Sequence, residues 1–319
     1  MRKLIVLLLL SITTSAIATE NEQASSWLNK LSLSLKQLNF STSFVVVKNN
    51  QAEPYHWFHG INENGEELEI ISLLNGPRRD VLRKGDIVSY IEPELPPYSI
   101  ATQQISGPIP AIFREDMSSI ANSYDFISVG RSRVLGRPAQ LIRIVSKDKH
   151  RFGYWLWLDQ ESSLLLKFAL ITRTGQLLEQ VQFTHLEITQ LPSENLKQLE
   201  IAELPQISEV TKSFQAHDLS WRVGWLPTGF KKIKANRHRI TSSTEPVEFM
   251  LFSDGLVNVS VYINNSTDKQ RAVEYVMNGA TVVLNQVNEG FEVSVVGKIP
   301  SKTAKAIADS IVLLPQTKQ

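Results

Sequence analysis

Histidine is the first place to look for chemistry, because the chain carries six histidines and no cysteine. Without a thiol, cysteine nucleophiles, disulfides and cysteine-bearing zinc sites are excluded. Only His56 and His59 lie close together, and a spacing of three on a strand puts them on opposite faces, a poor arrangement for sharing a metal. His150, His185, His217 and His238 have no evident partners and are expected at turns or surfaces. The sequence holds no Gly-x-Ser-x-Gly elbow, no phosphate-cradling glycine loop and no His-Glu-x-x-His. Glu92-Pro93-Glu94 brings two carboxylates together, but Pro93, Pro96 and Pro97 mark an ordered loop, where acidic side chains are ordinarily solvated. No cofactor or metal site is expected, and nothing in these residues supports an enzyme.

Binding chemistry is better represented. Arg78-Arg79 with Arg83-Lys84, and the Arg131/Arg133 pair, can grip lipid phosphates or an acidic peptide; a solvated rim that protects strand edges is the reading favoured for them. Two segments, Phe152–Leu158 and Leu164–Ile171, are apolar on both faces apart from Lys167. A sheet with one wet face alternates apolar and polar residues, so these strands must be covered on both sides. Either they form a double-sided core, or the sheet curls round an apolar cavity that Tyr90, Tyr154, Trp155, Trp157 and Phe168 would line. Trp225, Phe230 and Phe252 are candidate partner anchors, since aromatic residues dominate binding hot spots; each can also be plain core.

These groups need elements to hold them. Met1-Arg2-Lys3, the apolar run Leu4–Leu10 and Ala16-Ile17-Ala18 have the layout of a secretory signal peptide over residues 1–18, with cleavage after Ala18. Export to the periplasm follows, and the absence of cysteine removes a lipid anchor. Trp27, Leu31, Leu35 and Leu38 recur at helical spacing, with Leu28 widening the stripe, which predicts a helix over 23–38. From Phe44–Lys48 to Leu177–Ile188 the pattern becomes ten short β-rich runs. Asn64-Gly65, Lys84-Gly85-Asp86, Asp159-Gln160 and Thr174-Gly175 mark turns between them. A short helix is expected between Pro108 and Ala121. A first domain over 19–190, a linker over 191–220 with a helix near 195–201, and a second domain over 221–319 are expected. In the second domain, strands are predicted at Val247–Phe252, Val257–Ile263, Ala280–Val287 and Phe291–Val296. Helices are predicted at Lys269–Met277 and after a Ser301 cap, the latter with Ala304, Ile307, Ala308 and Ile311 as its stripe. The class is α+β. With 33 basic against 32 acidic residues, the chain lacks the overall field of a nucleic-acid binder.

The chain resembles the RseB/MucB family of sigma-E regulators almost from end to end. The resemblance runs through Leu74-Asn75-Gly76-Pro77-Arg78-Arg79-Asp80, Gly85–Pro93, Tyr124–Val134, Tyr154–Asp159 and Gly175–Gln180. It continues in Trp225-Leu226-Pro227-Thr228-Gly229-Phe230, Phe252–Leu256 and Val296–Pro300. It implies a large first domain shaped like the carriers LolA and LolB, an incompletely closed antiparallel β-barrel with helices, plus a smaller α+β domain. It also implies a partner, the periplasmic part of an RseA/MucA-type anti-sigma factor, which the protein shields from proteolysis. Lipopolysaccharide or the acyl chains of mislocalised lipoprotein would release it, and a homo-oligomer is compatible. Leu141-Ile142-Arg143 stands where some relatives carry a cysteine, so a redox role at that place does not apply. The alternative is a periplasmic lipid or lipoprotein carrier.

Overall fold

The computed structural model describes residues 22–105, 107–207, 219–239, 246–265, 270–288 and 290–314. The expected signal peptide and His217 lie outside them. Alternation builds the large sheet: in β1 (Asn39–Lys48), Phe40, Thr42, Phe44 and Val46 are buried and the residues between them are not. There follow β2 (Gln51–Ile61), β3 (Glu67–Leu73), β4 (Asp80–Lys84), β5 (Ile87–Ile91) and β6 (Tyr98–Ala101). After a crossing segment come β7 (Tyr124–Val134), β8 (Arg137–Ser146), β9 (Gly153–Asp159), β10 (Leu165–Ile171) and β11 (Leu177–Thr189). Every neighbour pair is antiparallel, in the order β6-β5-β4-β3-β2-β1-β11-β10-β9-β8-β7. Its ends, β6 and β7, do not pair with each other, so the barrel is incompletely closed, as expected.

Helix α1 (22–37) buries Ala24, Leu28, Leu31 and Leu35, one stripe at helical spacing, against the concave side of this sheet. Trp27 and Leu38 are only half-buried, so the stripe is rotated slightly from the sequence expectation. The crossing segment, 102–123, runs over the same side as a strap and contains two 3-10 turns, Ala111–Arg114 and Met117–Ile120. Ile112, Phe113, Met117 and Ile120 are buried beneath it. Helix α2 (Glu194–Ile201) covers part of the opposite face, setting Leu196 and Leu199 against Leu68, Phe58, Ile70 and Leu82. The chain beyond it adds to the β6 edge through a bridge between Ser99 and Ile207.

In the second domain, β12 (Trp221–Val223) pairs with the last strand, β19 (Ile311–Leu313). Between them lies a separate sheet of β13 (Lys231–Arg239), β14 (Pro246–Ser253), β15 (Asn258–Asn265), β16 (Gln270–Asn278), β17 (Thr281–Asn288) and β18 (Phe291–Gly297). Their order is β13-β14-β15-β18-β17-β16. One face, including Met250, Phe252, Val259, Val261, Val293 and Val295, is buried on the side of α3 (Ser301–Asp309).

Three expectations are corrected here. The helix expected over Lys269–Met277 is not found: Val273, Val276 and Met277 have helical spacing, yet from Gln270 onward the chain is the edge strand β16, paired with β17, and Lys269 lies outside the described residues. The turn between them needs Gly279, at φ +62°, where an added Cβ would lie 2.6 Å from Glu179 Oε1. The cap of α3 is Pro300, not Ser301, which is already helical, and Ile311 lies beyond the helix in β19. β13 was not foreseen, because Lys231-Lys232-Ile233-Lys234 carries no apolar alternation.

Candidate binding cleft

The concave face has two chemically different ends. On β9, β10 and β11 it is apolar, with Tyr154, Leu156, Phe168, Leu170, Val181 and Phe183 all buried. On β3 and β4 it carries charges instead: half-buried Glu67 and buried Glu69 and Arg83 share the inward face by alternation and register. The strap joins the two ends through neighbouring residues. The Phe113 ring meets Phe168 edge-on with centroids 5.7 Å apart, within the range of about 4.5–7 Å usual for such pairs. Arg114 turns the other way and pairs with Glu67 and Glu69, each at 2.8 Å. Arg83 pairs with the same two carboxylates, at 2.9 Å to Glu69, and the Trp57 indole donates to Glu69 at 3.0 Å. Burial alone would raise the Glu67 carboxyl, but the His59 ring, Arg114 and Arg83 outweigh it and hold it at about 2. Ser32 of α1 donates to the Arg114 carbonyl, and Lys36 pairs with Glu115, so helix and strap are tied together.

The half-exposed face of the smaller sheet roofs this region, leaving cavities that meet at Gly107 of the strap. One, of about 320 Å³, lies between Tyr154, Phe168 and Leu170 below and Leu256, Val257 and Val296 above. A second, of about 290 Å³, has an apolar floor of Val46, Ile71 and Val81 and a charged rim of Lys48, Arg79, Glu179 and Lys298. A third, of about 570 Å³, separates the strap from β13 and β14. Volumes of this order suit small ligands or single side-chain clusters.

A buried polar cluster helps to fix the roof. Arg151, 1% exposed, donates to Asp254 at 2.6 Å, and the Tyr124 hydroxyl donates to the same oxygen at 2.8 Å. Arg151 also reaches Asp148 and the Thr228 carbonyl, and its guanidinium lies over the rings of Tyr124 and Phe230. Burial and the nearby Asp254 carboxylate raise the Tyr124 phenol far above its ordinary value, so it remains a donor. Elsewhere Glu179 accepts from Lys298 at 2.6 Å and from the Ala280 amide at 2.9 Å. Gly255, at φ +100°, lets the roof approach the strap: a Cβ there would lie 2.7 Å from Ile120.

The sequence-predicted residues fall out as follows. Tyr154 and Phe168 line the apolar cavity. Trp155 and Trp157 do not: alternation puts them on the opposite face of β9, half-exposed, under the cations of Arg143 and Lys167 respectively. That face is therefore screened by long side chains and not by a second layer. Tyr90 shares the inward face with Val81 by register and stacks on Tyr98 at 5.3 Å, beyond these cavities. Arg79 stands at a cavity rim, whereas Arg78 is held by Asp80 at the surface. Arg131 and Arg133 are exposed on the edge strand β7, remote in strand order from Arg79. Phe252 is 4% exposed and belongs to the core, so it is no surface anchor. Phe230 lies under Arg151, and Trp225 packs edge-on against His150 at the contact between the two sheets' domains. His56 and His59 do face opposite ways: His56 stacks on Phe58, and buried His59 stacks on Phe40. Strap, clamp and roof contacts were missed, and only the Asp254-Gly255 turn signal hinted at the last.

A model of the MucB/RseB N-terminal domain matches residues 23–207, and one of the MucB/RseB C-terminal domain matches 215–312. The sigma-E factor regulatory protein RseB of Escherichia coli K12 is 32% identical over 302 residues, covering 94% of each chain. The sigma factor AlgU regulatory protein MucB of Pseudomonas aeruginosa is 33% identical over 315 residues, 98% of each. Among solved structures, the Pseudomonas aeruginosa MucA/MucB complex superposes with a TM-score of 0.75 at 30% identity, over 92% of this chain and 99% of that one. MucB in complex with MucA(peri) gives 0.73 at 31% identity, over 91% and 99%. MucB alone gives 0.58 at 28% identity, over 91% and 98%. Over residues 23–207 and 215–312, nearly the whole of its length, this chain belongs to the MucB/RseB family.

Proposed function

We propose that the protein, exported and cleaved after Ala18, is a periplasmic negative regulator of the sigma-E envelope-stress response. In this reading it binds the periplasmic domain of an RseA/MucA-type anti-sigma factor and shields it from proteolysis. It acts by binding and carries out no catalysis. The observation that carries the reading is the superposition, over almost the whole chain, on MucB as it stands in two complexes with MucA. The division into 19–190, a linker over 191–220 and 221–319 belongs to the same proposal, and the separation of the eleven-stranded sheet from the six- and two-stranded ones, with the two family matches, supports it.

An apolar ligand, the acyl chains of lipopolysaccharide or of a mislocalised lipoprotein, is the releasing signal. Phe113 occupies the apolar end of the concave face, so a chain entering beside Phe168 has to displace the strap. A ligand shifts the protein only as far as its affinities for the two states differ, and linkage makes partner binding weaken ligand binding by the same factor. Calorimetry with lipopolysaccharide and the anti-sigma periplasmic domain, added in both orders, tests this. Mutual weakening of about 5–150-fold is expected; independent binding removes the switch, and no binding of the anti-sigma domain removes the function.

A further inference from the structure

The third cavity is a cleft whose lining is apolar apart from Gln104, Ser253, Asn258 and Glu115, the last already paired with Lys36 of α1. The strap forms one wall with Ile105, Ile109 and Ile112, and the smaller sheet forms the other with Ile233, Leu251 and Leu256. Ile233 sits where β13 bulges against β14 and is 61% exposed, a large apolar side chain left outside every core. Lys231 lies opposite Ser253 and Lys234 opposite Leu251, and both of those β14 residues line the cavity. Cross-strand partners share a face, so both ammonium groups stand on the cavity side. Lys231, Lys232 and Lys234 are exposed and carry no ion pair to any described residue. β13 is also a free edge, with backbone donors and acceptors open to a further strand.

On the regulatory reading above, we propose that this cleft between the strap and β13–β14 seats an extended acidic segment of the partner protein. Its apolar side chains enter between the two walls and its carboxylates meet Lys231 and Lys234. Lysines on an edge are often no more than protection against aggregation, but protection does not require a recessed apolar groove beside them. The opposite edge of the same sheet has no such row: β16 carries Tyr275, Val276 and Met277 exposed and no lysine. A flat anionic bilayer can reach the lysines, yet it cannot reach Ile112 and Leu256, 8% and 9% exposed on the cleft walls. An extended peptide can reach both. Because the strap supplies one wall, whatever displaces Phe113 also dismantles the cleft.

The test uses the full mature chain with three reagents: a fluorescein-labelled peptide alternating leucine and glutamate, its leucine–lysine counterpart, and phosphatidylglycerol vesicles. By anisotropy, the acidic peptide should bind and the basic one should not. Lys231→Glu/Lys234→Glu should weaken binding at least tenfold, and Ile233→Asp should do likewise, while Lys302→Glu, exposed on α3, should leave it unchanged. Carbodiimide should cross-link the acidic peptide to Lys231 or Lys234, located by mass spectrometry. Circular dichroism checks that each variant folds, and Ile233→Ala replaces Ile233→Asp if that one does not. Equal loss in Lys302→Glu, cross-links confined to other lysines, or vesicle binding that depends on Lys231 and Lys234 while peptide binding does not would each overturn the proposal. The same variants are then offered the anti-sigma periplasmic domain. Full retention by Lys231→Glu/Lys234→Glu overturns the cleft and leaves the regulatory reading standing; failure of the unaltered chain to bind overturns the reading itself.

Discussion

Two buried charge clusters hold the molecule together, and they are built on opposite plans. The clamp beneath the strap sets two arginines, Arg83 and Arg114, against two carboxylates, Glu67 and Glu69, with each arginine touching both. The buried cluster at the contact between domains is built on one arginine, Arg151, which meets the carboxylate of Asp254 across it. Asp254 in turn accepts from the Tyr124 hydroxyl and from the amides of Leu256 and Val257. The clamp is redundant and the interdomain pair is not. Breaking a buried pair is costly because the surviving charge stays in low dielectric without compensation. Redundancy limits that cost, so the strap is the place where a partial opening is tolerated.

The largest effect should therefore come from Asp254→Ala, which leaves Arg151 only Asp148 and the Thr228 carbonyl and frees three other buried donors. A loss of about 3–5 kcal/mol is expected, read as a lower urea midpoint by tryptophan fluorescence. Asp254→Asn, which keeps an acceptor, should lose less. Arg114→Ala comes next, at about 1–3 kcal/mol, because Arg83 still serves both carboxylates. The double change Arg83→Ala/Arg114→Ala should cost more than the two single losses added together; simple additivity would mean that the clamp is not a unit.

Acid gives a third handle on the clamp. The Glu67 carboxyl is held at about 2 against an ordinary 4.5, so its contribution is complete above about pH 4.5 and is lost as pH falls towards 2. Hydrogen exchange in residues 102–123 should accelerate over that window, and Glu67→Gln should abolish the dependence. Lys298→Ala should do least. Lys298 is 42% exposed beside Glu179, and Glu179 keeps the Ala280 amide, so a change of about 0–1 kcal/mol is expected.

How far the sequence reading reached follows the same physics. Period-two alternation placed most strands of the large sheet, and the paired apolar faces of 152–171 led to a curled sheet with an apolar interior. The same alternation excludes Trp155 and Trp157 from the side that holds Tyr154, so grouping all five aromatic residues in one cavity ignored a rule already in hand. β13 and β16 were misread because edge strands bury little and need no alternating pattern. The Arg151–Asp254 pair was out of reach, since its members are 103 residues apart and neither has a local feature that names the other. Lys231 and Lys234 were not singled out among the basic residues. Only the β13–β14 register shows which face they share.

The strap also limits how the gene can vary. Phe113 and Arg114 are adjacent, yet one is committed to the apolar end of the concave face and the other to the charged end. Inserting a single codon between Phe113 and Arg114 would put one of them out of place, and no compensating rotation could restore both. The loop at Glu92–Pro97 carries no such double commitment. Length changes among natural relatives should gather there and leave the strap alone.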